Sequence, residues 1–213
     1  MMNPLAPQNP IKLYGVPLSG HVHRVRLFLS LLELPVEFVP VNLAEQENRQ
    51  PEYLSKNPFG EIPVIEDGEL ILADSTAILV YLALKYDSDG KWLPRDPIGA
   101  ALVQRWLSMA SGKIAYGPCA ARLVTLFGAP LDLERAKEIA RKLFDVLEPE
   151  LNDRQFALGS NATIADIAAY SYIAHAPEGG ISLLPYPNIL AWLDRVKALP
   201  GFVAMPASTI TST

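Results

Sequence analysis

The chain has a single cysteine, Cys119, among 213 residues. One thiol makes no intrachain disulfide and no cysteine-based metal site, which suits a reducing compartment. Basic charge is also scarce: 18 Lys and Arg stand against 23 Asp and Glu, for a net charge of −5. A nucleic-acid binder usually carries a basic excess, so that class is set aside. No apolar run reaches the ~18 residues that a membrane span requires. The first ten residues, MMNPLAPQNP, have neither the charged start nor the apolar stretch of a secretory signal, and they read as a frayed, proline-bearing tail. The expectation is a soluble, cytoplasmic protein with no membrane or nucleic-acid partner and no metal. What the chain does have is hydrophobic content, at 50%. That is enough for a sizeable core, and the length allows two modest domains or one large one.

The first half alternates between strand and helix signals. Ile11–Tyr14 is a short strand stopped by Gly15 and Pro17. A helix opens at Ser19-Gly20, with Val22, Val25, Leu29 and Leu32 on one face. Val36–Val41 is a second strand, 42–50 a polar loop, and Pro51–Ser55 a short helix with proline in its first turn. Two strands flank the turn signal Asp67-Gly68, and Asp74 caps a helix with Ile78, Tyr81 and Leu82 on one face. The order is β-α-β-(α)-β-β-α, and its first three elements need a parallel crossover. Beyond 87–97, rich in Asp, Gly and Pro, the strand signals almost vanish. Helices are expected over 98–116, ending where Gly117-Pro118 should kink or break the chain, and over 133–151, with Ala136, Ile139, Ala140, Leu143, Val146 and Leu147 inward. Two more are expected over 163–176, buried on most sides, and 189–199.

Four features in the first half carry chemistry. Ser19 stands at a helix N-terminus, where its hydroxyl either caps the helix or turns to a ligand, and where an anion is favoured. Pro63 opens a strand, an uncommon place for proline. It is either an ordinary loop proline or a cis residue after Ile62, which would turn the Ile62 amide and carbonyl outward as a free strand edge for a peptide ligand. Asp74-Ser75 is either a plain helix cap or a pair that holds the ammonium and carboxylate of an α-amino acid. Asn48-Arg49 is either a solvated surface pair or a carboxylate contact.

The order and spacing of these features resemble a known family. The run LYGVPLSGHVHRVRLFLSLLEL, followed by PEYLSKNPFGEIPVIEDGELILADSTAILVYLALKY, is similar to the N-terminal domain of cytosolic glutathione transferases from about residue 11 to 86. Asn161-Ala162-Thr163-Ile164-Ala165-Asp166 resembles the capping motif of the family's second domain, with Thr163 and Asp166 forming a capping box. The resemblance implies an α/β thioredoxin-like domain over 1–86, a linker over 87–97, and an all-α helical-bundle domain over 98–213 that carries the electrophile pocket.

It also implies a serine-type detoxifying transferase of theta, phi or related bacterial class, with glutathione as co-substrate, a small hydrophobic electrophile as the second substrate, and a homodimer. Ser19 would hydrogen-bond the glutathione sulfur, and Ile62, before cis-Pro63, would pair with the cysteinyl part. Asp74 and Ser75 would hold the γ-glutamyl end, Asn48 and Arg49 would meet the glycine carboxylate, and Glu61 would lie beside them. Many relatives have His at the position of Asn48 and Gln at that of Glu61. The absence of cysteine near Ser19 speaks against the disulfide-reducing members, and Tyr14 is not given the catalytic role that tyrosine has in other classes. Pro17, Leu18, His21, Met109, Lys113 and Tyr116 are candidates for the electrophile pocket, His23 for the surface, and Cys119 for a buried small residue. Peroxidase, isomerase or dehalogenase chemistry on the same thiolate, or a non-catalytic scaffold of this fold, are the alternatives.

Overall fold

The computed structural model describes residues 5–206 and 208, so the proline-bearing tail is described only from Leu5, and the end of the chain from 209 lies outside. The chain forms two compact units. One comprises Met1–Gly90 with Pro200–Pro206, and the other Lys91–Leu199 with Ala207–Thr213.

The first unit is built on a four-stranded sheet in the order β2-β1-β3-β4, from β1 (Ile11–Gly15), β2 (Val36–Pro40), β3 (Val64–Asp67) and β4 (Leu70–Ala73). β1 and β2 are parallel, joined through α1 (Gly20–Leu31), and the β1–β3 and β3–β4 pairs are antiparallel. Alternation along β1 splits its residues between two faces. Ile11 and Leu13 are fully buried. Gly15 shares their face, where a Cβ would run into the Val22 side chain of α1. Tyr14 points the other way, onto a cluster of Val41, Tyr53 and Val64, with Ile62 and Ala73 beside it. Tyr53 lies on the short helix α2 (Pro51–Leu54). α3 (Ser75–Tyr86) packs against α1 and buries Ile78, Leu79 and Leu82 completely. Each such side chain contributes ~1.5–3 kcal/mol.

The second unit is helical: α4 (Pro97–Met109), α5 (Ala120–Phe127), α6 (Leu133–Glu150), α7 (Ile164–Ala174) and α8 (Pro187–Lys197). The helix starts follow local chemistry. Asp96 and Asp132 accept backbone N–H groups at the starts of α4 and α6. Thr163 and Asp166 form the capping box of α7. α8 has no side-chain cap of its own. Instead both carboxylate oxygens of Glu148, on α6, accept from the N–H groups of Asn188 and Ile189, at 2.9 and 3.1 Å. α7 is buried from Ile164 to Ile173.

Three expectations change. Gly117-Pro118 does not break the chain: Ala110–Cys119 winds as a π-helix and runs directly into α5, which the sequence reading did not mark. In an α-helix the proline ring clashes with the carbonyl four residues back. The wider winding moves that carbonyl aside. Gly117 presses this segment against α6, where a Cβ would lie 3.0 Å from the Ala140 nitrogen. On α6 itself, Phe144 is fully buried and Val146 is 53% exposed, because Ala140, Leu143, Phe144 and Leu147 form the inward stripe and Val146 falls off it. Ile139 is half-buried. Lastly, Pro200–Pro206 belongs to the first unit: His23 Nε2 lies 2.8 Å from the Val203 carbonyl, and Ser30 Oγ donates to that of Gly201 at 2.7 Å. His23, expected at the surface, is therefore buried. Among the described residues no helix is long and apolar enough to cross a membrane.

Candidate active site

Two helix N-termini of the first unit carry the candidate residues. Ser19 is the N-cap of α1, in extended backbone, and its Oγ accepts from the Val22 N–H at 3.3 Å. Capping and ligand contact are compatible here. A hydroxyl has two acceptor lone pairs and one proton, and the cap uses only a lone pair. The proton remains for an anion, which the N-terminus of α1 favours.

Asp74 caps α3. Its Oδ1 accepts from the N–H groups of Thr76 and Ala77 at 2.9 and 2.8 Å and from Thr76 Oγ1 at 2.6 Å. Among the described residues Oδ2 has no hydrogen-bond donor. Burial opposes the charge, but the bonds from Thr76 and Ala77 and the nearby Arg24 cation outweigh it and hold the carboxyl below its usual range. Asp74 is thus an anion with one oxygen available. Its backbone is unusual for a non-glycine residue, with φ of 70° and ψ of 119°. Ser75, next to it, is buried.

Arg24, which the sequence reading did not single out, joins the two helices. Its Nη1 donates to Ser75 Oγ at 2.8 Å and to His21 Nδ1 at 3.2 Å. The side chain is 1% exposed. A guanidinium only donates, so Nδ1 of His21 is the acceptor and the imidazole carries its proton on Nε2. Burial, then the Arg24 charge, push the His21 pKa down to about 3, with Asp74 pulling the other way, so His21 is neutral at physiological pH.

The loop 57–63 supplies the remaining candidates. The Ile62–Pro63 bond is cis, as anticipated. Among the described residues the Ile62 amide and carbonyl enter no hydrogen bond. The Glu61 carbonyl accepts from Tyr53 Oη at 3.0 Å and Asn57 Nδ2 at 2.9 Å, while its side chain is exposed. Asn48 and Arg49 clamp this loop rather than stand apart from it. Asn48 Nδ2 donates to the Gly60 carbonyl at 2.6 Å and Arg49 Nη1 to that of Phe59 at 3.0 Å. Gly60 is required there: φ is 63°, and a Cβ would sit 2.7 Å from the Asn48 carbonyl oxygen.

Tyr14 is occupied elsewhere. Burial, then the neighbouring Glu66 carboxylate, raise its pKa, and Lys56 lies 5.1 Å from its ring centroid. Cys119 is buried in the second unit, and Lys113 and Tyr116 are exposed there on the π-helical segment.

The arrangement thus offers a carboxylate beside a hydroxyl at one helix start, a second hydroxyl at another, a buried cation joining them, and an unpaired backbone edge. These are the contacts that a small peptide bearing an α-amino acid end and an anionic group would take.

Comparison with known proteins finds relatives over most of the chain. The family model "Glutathione S-transferase, N-terminal domain" matches residues 9–84, and "Glutathione S-transferase, C-terminal domain" matches 127–200. Glutathione S-transferase 3 of Zea mays is 36% identical over 207 residues, covering 91% of each chain. Glutathione S-transferase F13 of Arabidopsis thaliana is 31% identical, covering 95% of this chain and 98% of that protein. The crystal structure of a glutathione S-transferase from Pseudomonas fluorescens superposes with a TM-score of 0.87 at 32% identity, covering 92% of this chain and 99% of that one.

Proposed function

The chain belongs to the glutathione transferase family, and we propose that it activates the glutathione thiol at Ser19 for attack on a small hydrophobic electrophile. The observation that carries this reading is the Ser19 hydroxyl at the start of α1, with its proton not used by the cap. Asp74 and Ser75 hold the ammonium and α-carboxylate of the γ-glutamyl end. Ile62 pairs its backbone with the cysteinyl residue, next to Pro63 and Glu61. Asn48 and Arg49 meet the glycine carboxylate with the N–H groups that do not clamp the loop. Because Ser19 stands at the start of α1 and Tyr14 packs on the Val41, Tyr53 and Val64 cluster instead, we assign the chain to the serine-type members, acting as a cytoplasmic homodimer.

Magnitudes show what Ser19 contributes. A free thiol has a pKa of about 8.5, so only ~3% of glutathione is thiolate at pH ~7. Lowering that pKa by about two units needs ~2.7 kcal/mol. A helix N-terminus supplies ~0.3–2 kcal/mol, and a hydrogen bond to a charged group ~1.5–3. Ser19 and the α1 terminus are therefore sufficient. The thiolate fraction rises ~25-fold, but nucleophilicity falls with a Brønsted slope of about 0.4–0.5, which leaves a net gain of a few-fold. Holding the electrophile against the sulfur is the larger available term.

The test is glutathione calorimetry followed by conjugation of a chloronitrobenzene. Binding with turnover is expected. Binding without turnover would redirect the chemistry to peroxide, isomerisation or dehalogenation substrates. No binding at millimolar glutathione would overturn the reading.

A further inference from the structure

Arg24 is buried where an uncompensated cation is costly, and it donates to two groups at the start of the glutathione site, Ser75 Oγ and His21 Nδ1. We propose that Arg24 is a positioning residue of this site: by occupying the acceptor side of the Ser75 hydroxyl it leaves that hydroxyl as a donor, aimed at the α-carboxylate of the γ-glutamyl group. The proposal rests on the reading that Asp74 and Ser75 hold that group.

The argument is one of hydrogen-bond polarity. A serine hydroxyl beside a carboxylate has two options: it donates to that carboxylate, or it donates elsewhere and offers its lone pairs. A Ser75 hydroxyl free to rotate, with its proton turned to another acceptor, would offer only its lone pairs. Such a serine meets an incoming carboxylate with lone pairs, and repels it. Arg24 Nη1, 2.8 Å from Oγ, fixes which side of the oxygen accepts. The proton is directed to the opposite side, away from the guanidinium.

The same nitrogen holds His21 with its proton on Nε2. The Arg24 charge also lowers the Asp74 carboxyl, which keeps that group ready for the ammonium. The guanidinium thus fixes the donor side of Ser75, and it adds to the burial that keeps His21 neutral and to the Thr76 and Ala77 bonds that keep Asp74 an anion. Arginine suits the task because its planar fork cannot lose its proton and reaches two acceptors at once.

The experiment compares two ligands by calorimetry on the full chain: glutathione, and the analogue in which a hydrogen replaces the glutamyl α-carboxylate. Arg24→Met should weaken glutathione binding roughly tenfold, the effect of losing a hydrogen bond to a charged group, and the analogue less than ~2-fold. In turnover the loss should appear in the KM for glutathione rather than in kcat. Ser75→Ala should weaken glutathione binding by a similar factor, and Arg24→Met/Ser75→Ala no more than Ser75→Ala alone, since the two act through one hydroxyl. Equal losses for both ligands, or additive losses in the double variant, would reduce Arg24 to a structural part and overturn the proposal. Should Arg24→Met fail to fold, Arg24→Lys retains the buried charge and decides by the glutathione-to-analogue affinity ratio. A several-fold fall supports the proposal, and an unchanged ratio overturns it. If Ser75→Ala binds glutathione as the wild type does, the γ-glutamyl assignment itself has failed. If Ser75→Ala binds weakly and the Arg24 variants bind normally, only the present proposal has.

Discussion

The hydroxyl of Tyr86, at the end of α3, donates to Oδ2 of Asp67, the last residue of β3, at 2.6 Å. Tyr81 and Lys85 donate to the same oxygen, at 2.6 and 2.8 Å. The cluster anchors the C-terminal end of the helix whose other end presents Asp74 and Ser75, so it helps hold the site from a distance. Asp67→Asn is expected to cost about 1–3 kcal/mol at neutral pH. The pH dependence has a definite sign. Burial opposes the charge, but the three donors outweigh it and keep the carboxyl below its usual range. A depressed carboxylate stabilises fully above its unfolded pKa of about 3.9, and that stabilisation is lost as pH falls through the folded value. Urea unfolding should therefore show a constant gap between wild type and Asp67→Asn above about pH 5, narrowing below about pH 4. A gap that stays constant into acid would mean that the charge of Asp67 plays no part.

Ser19 and Tyr14 make opposite predictions for catalysis. Ser19→Ala should slow conjugation roughly three- to tenfold near pH ~6.5 by raising the thiol pKa, partly offset by the greater nucleophilicity of the more basic thiolate. The deficit should vanish near pH ~8 and reverse toward pH ~9, where glutathione ionises unaided and the more basic thiolate is the better nucleophile. Glutathione affinity should stay within a few-fold, with about 1 kcal/mol of stability lost with the cap. Tyr14→Phe should conjugate at a rate close to that of the wild type, because its side chain packs on the Val41, Tyr53 and Val64 cluster, on the face of β1 opposite Gly15 and the Val22 side chain of α1. A Ser19→Ala rate equal to wild type near pH ~6.5, or a collapse in Tyr14→Phe, would transfer the catalytic hydroxyl from one residue to the other.

The backbone at Asp74 separates stability from function. A non-glycine residue at φ 70° costs about 1–3 kcal/mol, and glycine removes that cost while losing only a few tenths of a kcal/mol as a cap. Asp74→Gly should therefore unfold at the same temperature as wild type or higher, yet bind glutathione at least several-fold more weakly, because the carboxylate for the ammonium is gone. Asp74→Ala keeps the strained φ and loses the cap, so it should be destabilised. Thermal unfolding beside glutathione titration reads both. An Asp74→Gly variant that binds normally would remove Asp74 from the site.

What the sequence disclosed was what neighbours in the chain decide. The stripe of Val22, Val25 and Leu29 placed α1. Thr163 and Asp166 placed the start of α7, and Asp74 that of α3. Ile62-Pro63 marked the exposed edge because proline is rare at that point of a strand. The hidden features depend on distant partners. Arg24 meets Ser75 across 51 positions, and Asn188 reaches Glu148 across 40. His23 meets Val203 across 180. Nothing near Arg24 distinguishes it from an exposed arginine such as Arg26, two positions on. The π-helical segment is hidden for a different reason: Gly117-Pro118 is a sound stop signal in an α-helix, and the close approach of Gly117 to Ala140 of α6 that accompanies the wider winding depends on a distant element.

In the second unit the carboxylate of Asp166 is fully buried. Its Oδ2 accepts from the Thr163 N–H at 2.9 Å and Thr163 Oγ1 at 3.3 Å, and its Oδ1 from the Ala157 N–H at 2.7 Å and Trp192 Nε1 at 2.8 Å. Every contact is a donor, so the carboxylate is read as an acceptor on both sides. Asn matches the volume but not this polarity: whichever way its amide turns, an NH2 group faces two donors. Asp166→Asn is therefore expected to be no rescue, and to cost about 3 kcal/mol or more, close to Asp166→Ala, since two or more buried donors lose their acceptor in either case. Thr163→Ala, which removes only the hydroxyl cap, should cost about 1 kcal/mol. Urea unfolding followed by tryptophan fluorescence measures all three, and Trp192 reports directly on the broken contact. Were Asp166→Asn to cost less than Thr163→Ala, the capping hydroxyl rather than the four-donor carboxylate would be the element that holds α7 to its neighbours.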